Sequence, residues 1–500
     1  MIRNSAGSGP ETWTFADGVP ETVRAYLASG DWQRDAELVK ENRCREVFLC
    51  RPAGSGRAIY VKRDLPAGLV GRLKHSLRSK AEREFASLQG ALAAGVAVAP
   101  PLGWSGLSNG GLLATYEVMG DSVLDLMLGD RVAEALADEF LLSLARFLKG
   151  LLRVGMNHPD MHGGNIVVEN PTSHSPSFSL LDLYGVRVGG AVGIASKRWL
   201  IVWLVPLLER ISPTRRQRVL DLITDGDRDA ALVASWTGLQ RHWAKARRHS
   251  WPGRRRRLLE RSSLCDSYVD SLGSWLAMTF PARTKGLGGA LAAYEARDPA
   301  TVALLKEDRK RCVARVGLDH GTVIVKEYLR TSWRPAWYSP DRRGWLNTSR
   351  AHCLSVSFAR CLAWGRGGGG SAYLVLEDVG ELCLHDYVPR SCPTPALRRP
   401  WLERMADILA SLHVRGCFHA DLKVANWVAG PDARLRVVDC DDVRFYRTLP
   451  EWARERNLRQ LAETCPPGVT AREKLRFLAL YGRFAELPAG WVRAFAAQLG

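Results

Sequence analysis

Two loops in this chain share one spacing of residue types that can do chemistry. "NHPDMHGGNIVVE" (157–169) and "FHADLKVANWVAG" (418–430) both read His-x-Asp-x-x-x-x-Asn. The loop aspartates, Asp160 and Asp421, can accept or orient the proton of an attacking hydroxyl. Five residues on, Asn165 and Asn426 offer a neutral amide oxygen, a hard donor that suits Mg²⁺. A second aspartate lies beyond the next apolar strand: Asp182, 22 residues after Asp160, and Asp439, 18 residues after Asp421. It adds an anionic oxygen for the same ion. Upstream, Lys62 in "YVKR" and Lys326 in "VIVKEY" sit in mid-strand, where alternation turns them to one face and an ammonium can reach phosphate oxygens. Together these groups meet the needs of phosphoryl transfer: a clamped triphosphate, neutralised charge, and an acceptor hydroxyl held in line. His158 and His419 read as props of the loops rather than as bases.

Each signal alone is weak, since a lone strand lysine is more often a surface residue. Repetition gives them weight. "KENRCREVFLC" (40–50) resembles "KEDRKRCVARV" (306–316), and "AIYVKRD" (58–64) resembles "TVIVKEY" (322–328). "LLATYEVMGDSVLDLM" (112–127) resembles "AYLVLEDVGELCLHDY" (372–387), with Glu117 set against Glu377, and "SLLDLYGVRV" resembles "RVVDCDDVRF". The landmarks keep their order. The separation between matched residues drifts only from 266 (Lys40 to Lys306) to 257 (Asp182 to Asp439), which is a tandem duplication.

The elements that must position these residues follow the same plan twice: β-rich runs ending in the lysine strand, a helix, a strand leading into E-x-x-G, and then mostly helical sequence. In the first copy the helix is "KAEREFASLQGALAAG"; in the second it is read as "SRAHCLSVSFARCLAWG". The order implies an α+β class with two domains, 21–250 and 251–500, after a flexible N-terminus, 1–20. Pro252-Gly253 and the run Arg254 to Arg257 are expected to break structure at the join, near 245–260. "GRGGGG" (365–370) is expected to be a flexible turn; with no Lys-Ser/Thr and helix after it, it is no phosphate-binding P-loop.

The totals narrow the class. At 500 residues the chain exceeds one ordinary core, and a mean hydropathy of -0.14 is that of a soluble globular protein. A net charge of +18 favours an anionic partner: nucleotide phosphates or an anionic membrane surface touched peripherally. The 17 Trp are spread along the chain and not interleaved with a basic patch, which argues against nucleic acid. The 11 Cys show no metal or disulfide spacing and fit reduced thiols in a cytoplasm. No secretory signal is visible at the N-terminus. "WLIVWLVPLL" (199–208) is too short to span a bilayer and reads as buried helix.

The set of strand Lys, helix Glu, loop Asp and Asn, and second Asp resembles the protein-kinase-like fold. More narrowly, "SKAEREFASLQGALAAGVAVAPPLGW", "LLDLYGVRV", "VVDCDDVRF" and "RNLRQLAETCPPGVTAREKLRFLALYG" (456–482) resemble the bacterial lipopolysaccharide core (Kdo/heptose) kinases. The resemblance implies two tandem bilobal domains, each with a small antiparallel β-sheet lobe and a mainly helical lobe. It implies ATP and Mg²⁺, and phosphorylation of a sugar hydroxyl of a glycolipid at the cytoplasmic face of the inner membrane. It also implies roles: Glu84, or else Glu82, pairs with Lys62, and Glu117, Met119, Glu377 and Val379 lie at the ATP site.

The copies depart from the pattern and from each other. Pro159 and Ala420 stand between loop His and Asp, where regulated protein kinases carry Arg, and no G-x-G-x-x-G is present. "KENRCREV" and "KEDRKRCV" take its place and can contribute Arg or Lys. Aligning "SKAEREF" with "SRAHCLS" puts Leu354 opposite Glu84, so that Lys326 is expected to lack the helix partner of Lys62. Two residues after Asp421 stands Lys423, which can neutralise the transferring phosphoryl; the first copy has His162 there. The readings left open are one active half with a pseudokinase half, a small-molecule kinase of aminoglycoside or choline type, and a non-catalytic nucleotide-binding scaffold.

Overall fold

Alternation of buried and outward residues builds two antiparallel sheets. In the lysine strand of the first, Ile59 and Val61 are buried while Lys62 points to the other face; in the second, Cys312, Ala314 and Val316 alternate inward. The computed structural model describes residues 12–42, 44–65, 79–107, 110–129, 131–269, 273–279, 287–318, 321–329, 339–367, 370–430 and 434–499. They fall into two units, residues 1–207 with 215–234 and residues 208–214 with 235–500. The class is mixed α/β, with several small antiparallel sheets and many helices.

The first unit opens on β1 (Trp13–Phe15), then β2 (Glu37–Asn42), β3 (Arg45–Cys50) and β4 (Ile59–Asp64). β5 (Pro101–Leu107) and β6 (Gly110–Tyr116) complete a sheet of order β1-β5-β6-β4-β3-β2. Between β4 and β5 lies the helix Lys80–Ala93. Ser79 caps it by accepting the Glu82 N–H, and Ala81, Phe85, Leu88 and Ala91 form its buried stripe. Glu84 sits inside that stripe with no exposure, a carboxylate where the pattern asks for an apolar residue. A smaller sheet of β7 (Asp121–Ser122), β8 (Ile166–Glu169) and β9 (Ser177–Leu180) carries the first loop, beside the amphipathic helix Asp138–Arg153.

The second unit repeats the order with one strand added. β10 (Cys265–Val269), β11 (Gly273–Met278), β12 (Val302–Glu307), β13 (Arg311–Leu318), β14 (Gly321–Tyr328), β15 (Cys361–Gly367) and β16 (Ala372–Glu377) run β10-β11-β15-β16-β14-β13-β12. β17 (Leu382–Cys383), β19 (Trp427–Ala429) and β20 (Leu435–Val437) form a small sheet, and β18 (Cys417–His419) pairs with β21 (Val443–Phe445). A large apolar core of this unit, with Leu409, Leu412, Trp427 and Tyr481 in it, lies among the helices Pro395–Val414, Glu451–Glu463 and Ala471–Phe484.

Four expectations need correcting. The helix between β14 and β15 is Pro340–Cys353, and "CLAWG" of the expected helix is already strand β15. The start is set by Ser339 at the N-cap and proline in the first turn, where its missing N–H costs nothing. Pro252 and Gly253 do not break the chain: they lie inside the 22-residue helix Trp236–Arg257, whose last turn holds Arg254 to Arg257. Cations there face the negative end of the helix dipole, which favours them. Gly365 to Gly367 belong to β15, and Gly368 and Gly369 lie outside the described residues. Of the N-terminus expected to be flexible, residues 1–11 lie outside the described residues, whereas Trp13–Phe15 pair with β5. The apolar run 199–208 spans two short helices, Ile194–Val202 and Val205–Leu208. Among the described residues no helix is long and apolar enough to cross a membrane.

Candidate active site

In the first unit, the register of β3 against β4 sets Val47 opposite Lys62 and Arg45 opposite Asp64. The Lys62 Nζ donates to Glu84 Oε1 at 2.6 Å and lies 4.0 Å from Asp182 Oδ1. Arg45 was not singled out from the sequence, yet it binds three carboxylates: Asp64 at 2.8 Å, Glu84 at 2.8 Å and Asp182 at 3.1 Å. Burial opposes its charge, but Glu84 and Asp64 outweigh that and hold it protonated. The Asp182 carboxylate, which burial alone would raise, is pulled below its ordinary range by Lys62, Arg45 and Lys80. Three cations and three anions thus fix one another around the lysine.

The first loop places its groups by backbone bonds. The Asp160 N–H donates to His158 Nδ1 at 3.3 Å, and Asn165 Nδ2 donates to the Asp160 carbonyl at 2.9 Å. Leu181 N–H donates to the Asn165 carbonyl, so Asp182 follows directly beside the asparagine. Asp182 takes the left-handed conformation, φ 54°, a backbone state an aspartate adopts at some cost. His158 is buried and its imidazole is held down to about 4, chiefly by burial, so it is neutral at pH 7 and props the loop as expected. The Asp160 side chain is exposed, with His162 Nε2 3.8 Å from its Oδ2.

The second loop repeats this geometry. Asp421 N–H donates to His419 Nδ1 at 3.2 Å, Asn426 Nδ2 to the Asp421 carbonyl at 2.7 Å, and Val438 N–H to the Asn426 carbonyl. Asp439 is also left-handed, φ 63°. Burial lowers the His419 imidazole as well. Here the loop has more support. Gln460 accepts from Leu422 N–H and donates to the Ala420 carbonyl, Thr464 accepts from Val424 N–H, and Asn457 donates to the His419 carbonyl at 2.6 Å. All three belong to the helix Glu451–Glu463 or the residue that ends it. Lys423 Nζ lies 2.9 Å from Asp421 Oδ2, with both side chains about half exposed.

Lys326 is not without a partner. Its Nζ donates to Asp439 Oδ1 at 2.7 Å and to Asp441 Oδ2 at 2.6 Å. Burial works against the ammonium, but Asp441 and Asp439 more than offset it and raise its pKa. Arg311, opposite Tyr328 as Arg45 is opposite Asp64, reaches Asp439 at 3.6 Å. A cavity of about 970 Å³ adjoins this cluster, lined by Arg309, Lys310, Arg311, Arg343, Arg366 and Asp441 among others. Three basic residues of "KEDRKRCV", Arg309, Lys310 and Arg311, thus line this cavity.

The helices also align otherwise than by "SKAER" and "SRAHC". Both have 14 residues after a serine N-cap, and both end before a left-handed residue, Gly95 or Ser355, after the C-cap. Ala99 N–H donates to the Leu180 carbonyl and Ala359 N–H to the Val437 carbonyl. Ser87 donates to the Val186 carbonyl, and Asn347 to the Val443 carbonyl. On this register the counterpart of Glu84 is Gly344, not Leu354. The strand before the E-x-x-G segment shifts too. Tyr116 pairs with Ile59 and Glu377 with Val323, each three residues before the lysine, so Asp378 and not Glu377 stands level with Glu117. Asp378 is locked by Arg315 and Thr322, each at 2.7 Å. Met119 is largely exposed and Val379 half-buried on the same segments.

The donor set fits Mg²⁺. Asn165 with Asp182, and Asn426 with Asp439, each pair a neutral amide oxygen with a partly exposed carboxylate across one backbone hydrogen bond.

Residues 356–481 match the model of the Lipopolysaccharide kinase (Kdo/WaaP) family. The chain is also similar to the lipopolysaccharide core heptose(I) kinase WaaP of Pseudomonas aeruginosa, with 28% identity over 159 residues. That alignment takes in 28% of this chain and 59% of the relative, so the chain spans less than two thirds of the curated protein it matches.

Proposed function

From a family match confined to the C-terminal half, we propose that this half is an ATP-dependent phosphotransferase acting on a sugar hydroxyl of a lipopolysaccharide-type glycolipid. We propose further that the chain is a tandem of two protein-kinase-like units. The repeated strand order, the three internal bonds that the two loops share, and the two left-handed aspartates support that reading.

The observation that carries the proposal is the second site. Lys326, ion-paired to Asp439, stands beside a loop in which Asp421 and Lys423 are 2.9 Å apart. In this reading Lys326 binds phosphate oxygens of ATP. Asn426 and Asp439 would hold magnesium, which neutralises phosphate charge when bound. Asp421 accepts the proton of the sugar hydroxyl and orients its lone pair, and Lys423 faces the negative charge of the transferring group. Arg309 and Lys310, exposed at the cavity mouth, suit the anionic groups of donor or acceptor. Glu377 and Val379 lie on the segment where a nucleotide base would meet backbone.

The first unit has the better-built lysine clamp but lacks the loop lysine, and His162 bonds back to the Gly164 N–H instead. We propose that it binds nucleotide through Lys62, Glu84, Asn165 and Asp182, with Glu117 and Met119 at the base, and transfers phosphate poorly. The net charge of +18 suits work at an anionic cytoplasmic membrane face.

The test is transfer of labelled phosphate from ATP by the full chain. Inner-core glycolipid, free sugars, an aminoglycoside and choline are offered in parallel. Label on the glycolipid alone supports the proposal. Label on an aminoglycoside or choline moves the acceptor class, and no label on any acceptor with ATP still bound favours a scaffold.

A further inference from the structure

The two lysines are held by carboxylates from different elements. Lys62 is held by a carboxylate on the helix, whereas the corresponding helix position in the second unit is Gly344. We infer that Asp441 is the positioning residue for Lys326, and that Gly344 is the vacancy that admits it. The inference rests on the reading of the second unit as a phosphotransferase, and it concerns which residue makes its lysine competent.

Four observations carry it. Asp441 Oδ2 accepts from Lys326 Nζ at 2.6 Å, as short as the Lys62–Glu84 contact in the first unit. Asp441 is fixed on its other side: both carboxylate oxygens lie 2.9 Å from the Tyr328 hydroxyl, which donates to it. Its backbone is pinned by Asn347, whose Nδ2 donates to the carbonyls of Cys440, Asp441 and Val443 at 3.0–3.2 Å. And any side chain at 344 would compete for the space: a Cβ there would stand 2.9 Å from Asp441 Oδ1 and 2.6 Å from Leu374 Cδ1. A glycine inside a helix is intrinsically unfavourable, so its presence calls for a packing reason, and the aspartate supplies one. In the first unit each exchange is reversed. Tyr184 occupies the place of Asp441, Asp64 that of Tyr328, and Glu84 that of Gly344.

The consequence is mechanical. The first unit's lysine depends on where its helix lies. The second unit's lysine is aimed by the segment that also carries the second aspartate, two residues from it, so lysine and metal-ligand geometry are set together. A helix shift would carry Glu84 away from Lys62 directly, whereas it would reach Lys326 only through the Asn347 bonds to the Asp441 segment.

The experiment uses the full chain with Asp441→Asn, Gly344→Glu and the double variant Gly344→Glu/Asp441→Ala, in which the smaller residue at 441 removes the carboxylate that would meet the new side chain and leaves only the end of Leu374 to turn aside. The measurements are KM and kcat for MgATP in phosphate transfer, and MgATP binding by calorimetry. Asp441→Asn is expected to raise KM and weaken binding at the second site about tenfold or more. The double variant, which moves the carboxylate to the helix, is expected to recover to within about threefold of the parent. Gly344→Glu alone is expected to be impaired by crowding. Asp441→Asn with KM and affinity within twofold of the parent overturns the inference, as does loss in which the double variant is no better than the single. Failure of the underlying reading looks different: the parent then transfers no phosphate, or Asp439→Asn leaves transfer intact.

Discussion

Glu84→Gln is the substitution that probes the first cluster most sharply. The carboxylate has no exposure and accepts from two cations, Lys62 at 2.6 Å and Arg45 at 2.8 Å, which are themselves only 17% and 9% exposed at the side chain. An amide of the same shape keeps the packing and removes the charge. Breaking a buried pair by neutralising one partner costs about 3–5 kcal/mol, because the remaining charge stays desolvated. Arg45 keeps Asp64 at 2.8 Å and Asp182 at 3.1 Å, which argues for the lower end, about 3 kcal/mol. For a unit of this size, 1 kcal/mol moves Tm by about 2–4 °C, so the first unit should melt about 6–12 °C lower. Scanning calorimetry of the full chain gives the shift. Hydrogen exchange over β4 and the helix Lys80–Ala93 assigns it to this unit. A loss below about 1 kcal/mol would mean that water reaches the cluster and that Glu84 does not hold Lys62 and Arg45 as a desolvated group.

Three further outcomes are expected. Lys423→Ala should lower kcat about 100-fold with KM for MgATP little changed, since the lysine faces the loop aspartate and not the nucleotide clamp; steady-state kinetics checks it. Gln460→Ala, which unties two loop groups, Leu422 N–H and the Ala420 carbonyl, should cost about 1–3 kcal/mol by denaturant melts and lower kcat as well. On acidification the unfolded chain takes up protons before the native one does. His158 is held down to about 4 against about 6.5 when unfolded, so its contribution is whole above pH 6.5 and is lost as pH falls towards 4, about 3 kcal/mol in all. His413, held down to about 3 by burial, works in the same sense. Melts between pH 7 and pH 4 should show a steep fall in stability, and His158→Gln should flatten it.

The loops are legible in the sequence because their geometry is local. Asp, Asn and His bond one another within five residues, so spacing alone encodes them. The lysine strands are legible by alternation, and Lys62–Glu84 by the helix that follows. The second unit's solution is not, because Asp441 meets Lys326 across 115 residues and no spacing rule links them. The misplaced helix hid it further. "SRAHC" resembles "SKAER" in residue type, but the physical start signal is Ser339-Pro340, cap and first-turn proline, ten residues upstream. Arg45 and Arg311 stand out from their basic stretches only in the structure, for a related reason. An arginine at the first residue of a strand looks like an edge residue until the register sets it beside carboxylates. Pro252 looked like a breaker, yet the helix Trp236–Arg257 absorbs it.

The central claim is that the second loop transfers phosphate. Its most direct test compares Asp160→Ala with Asp421→Ala in the full chain, following labelled phosphate from ATP to inner-core glycolipid. Asp421→Ala is expected to reduce transfer at least 100-fold, the usual contribution of a positioned base, while Asp160→Ala stays within a few-fold of the parent. Equal loss in both variants, or transfer that survives Asp421→Ala, would contradict it.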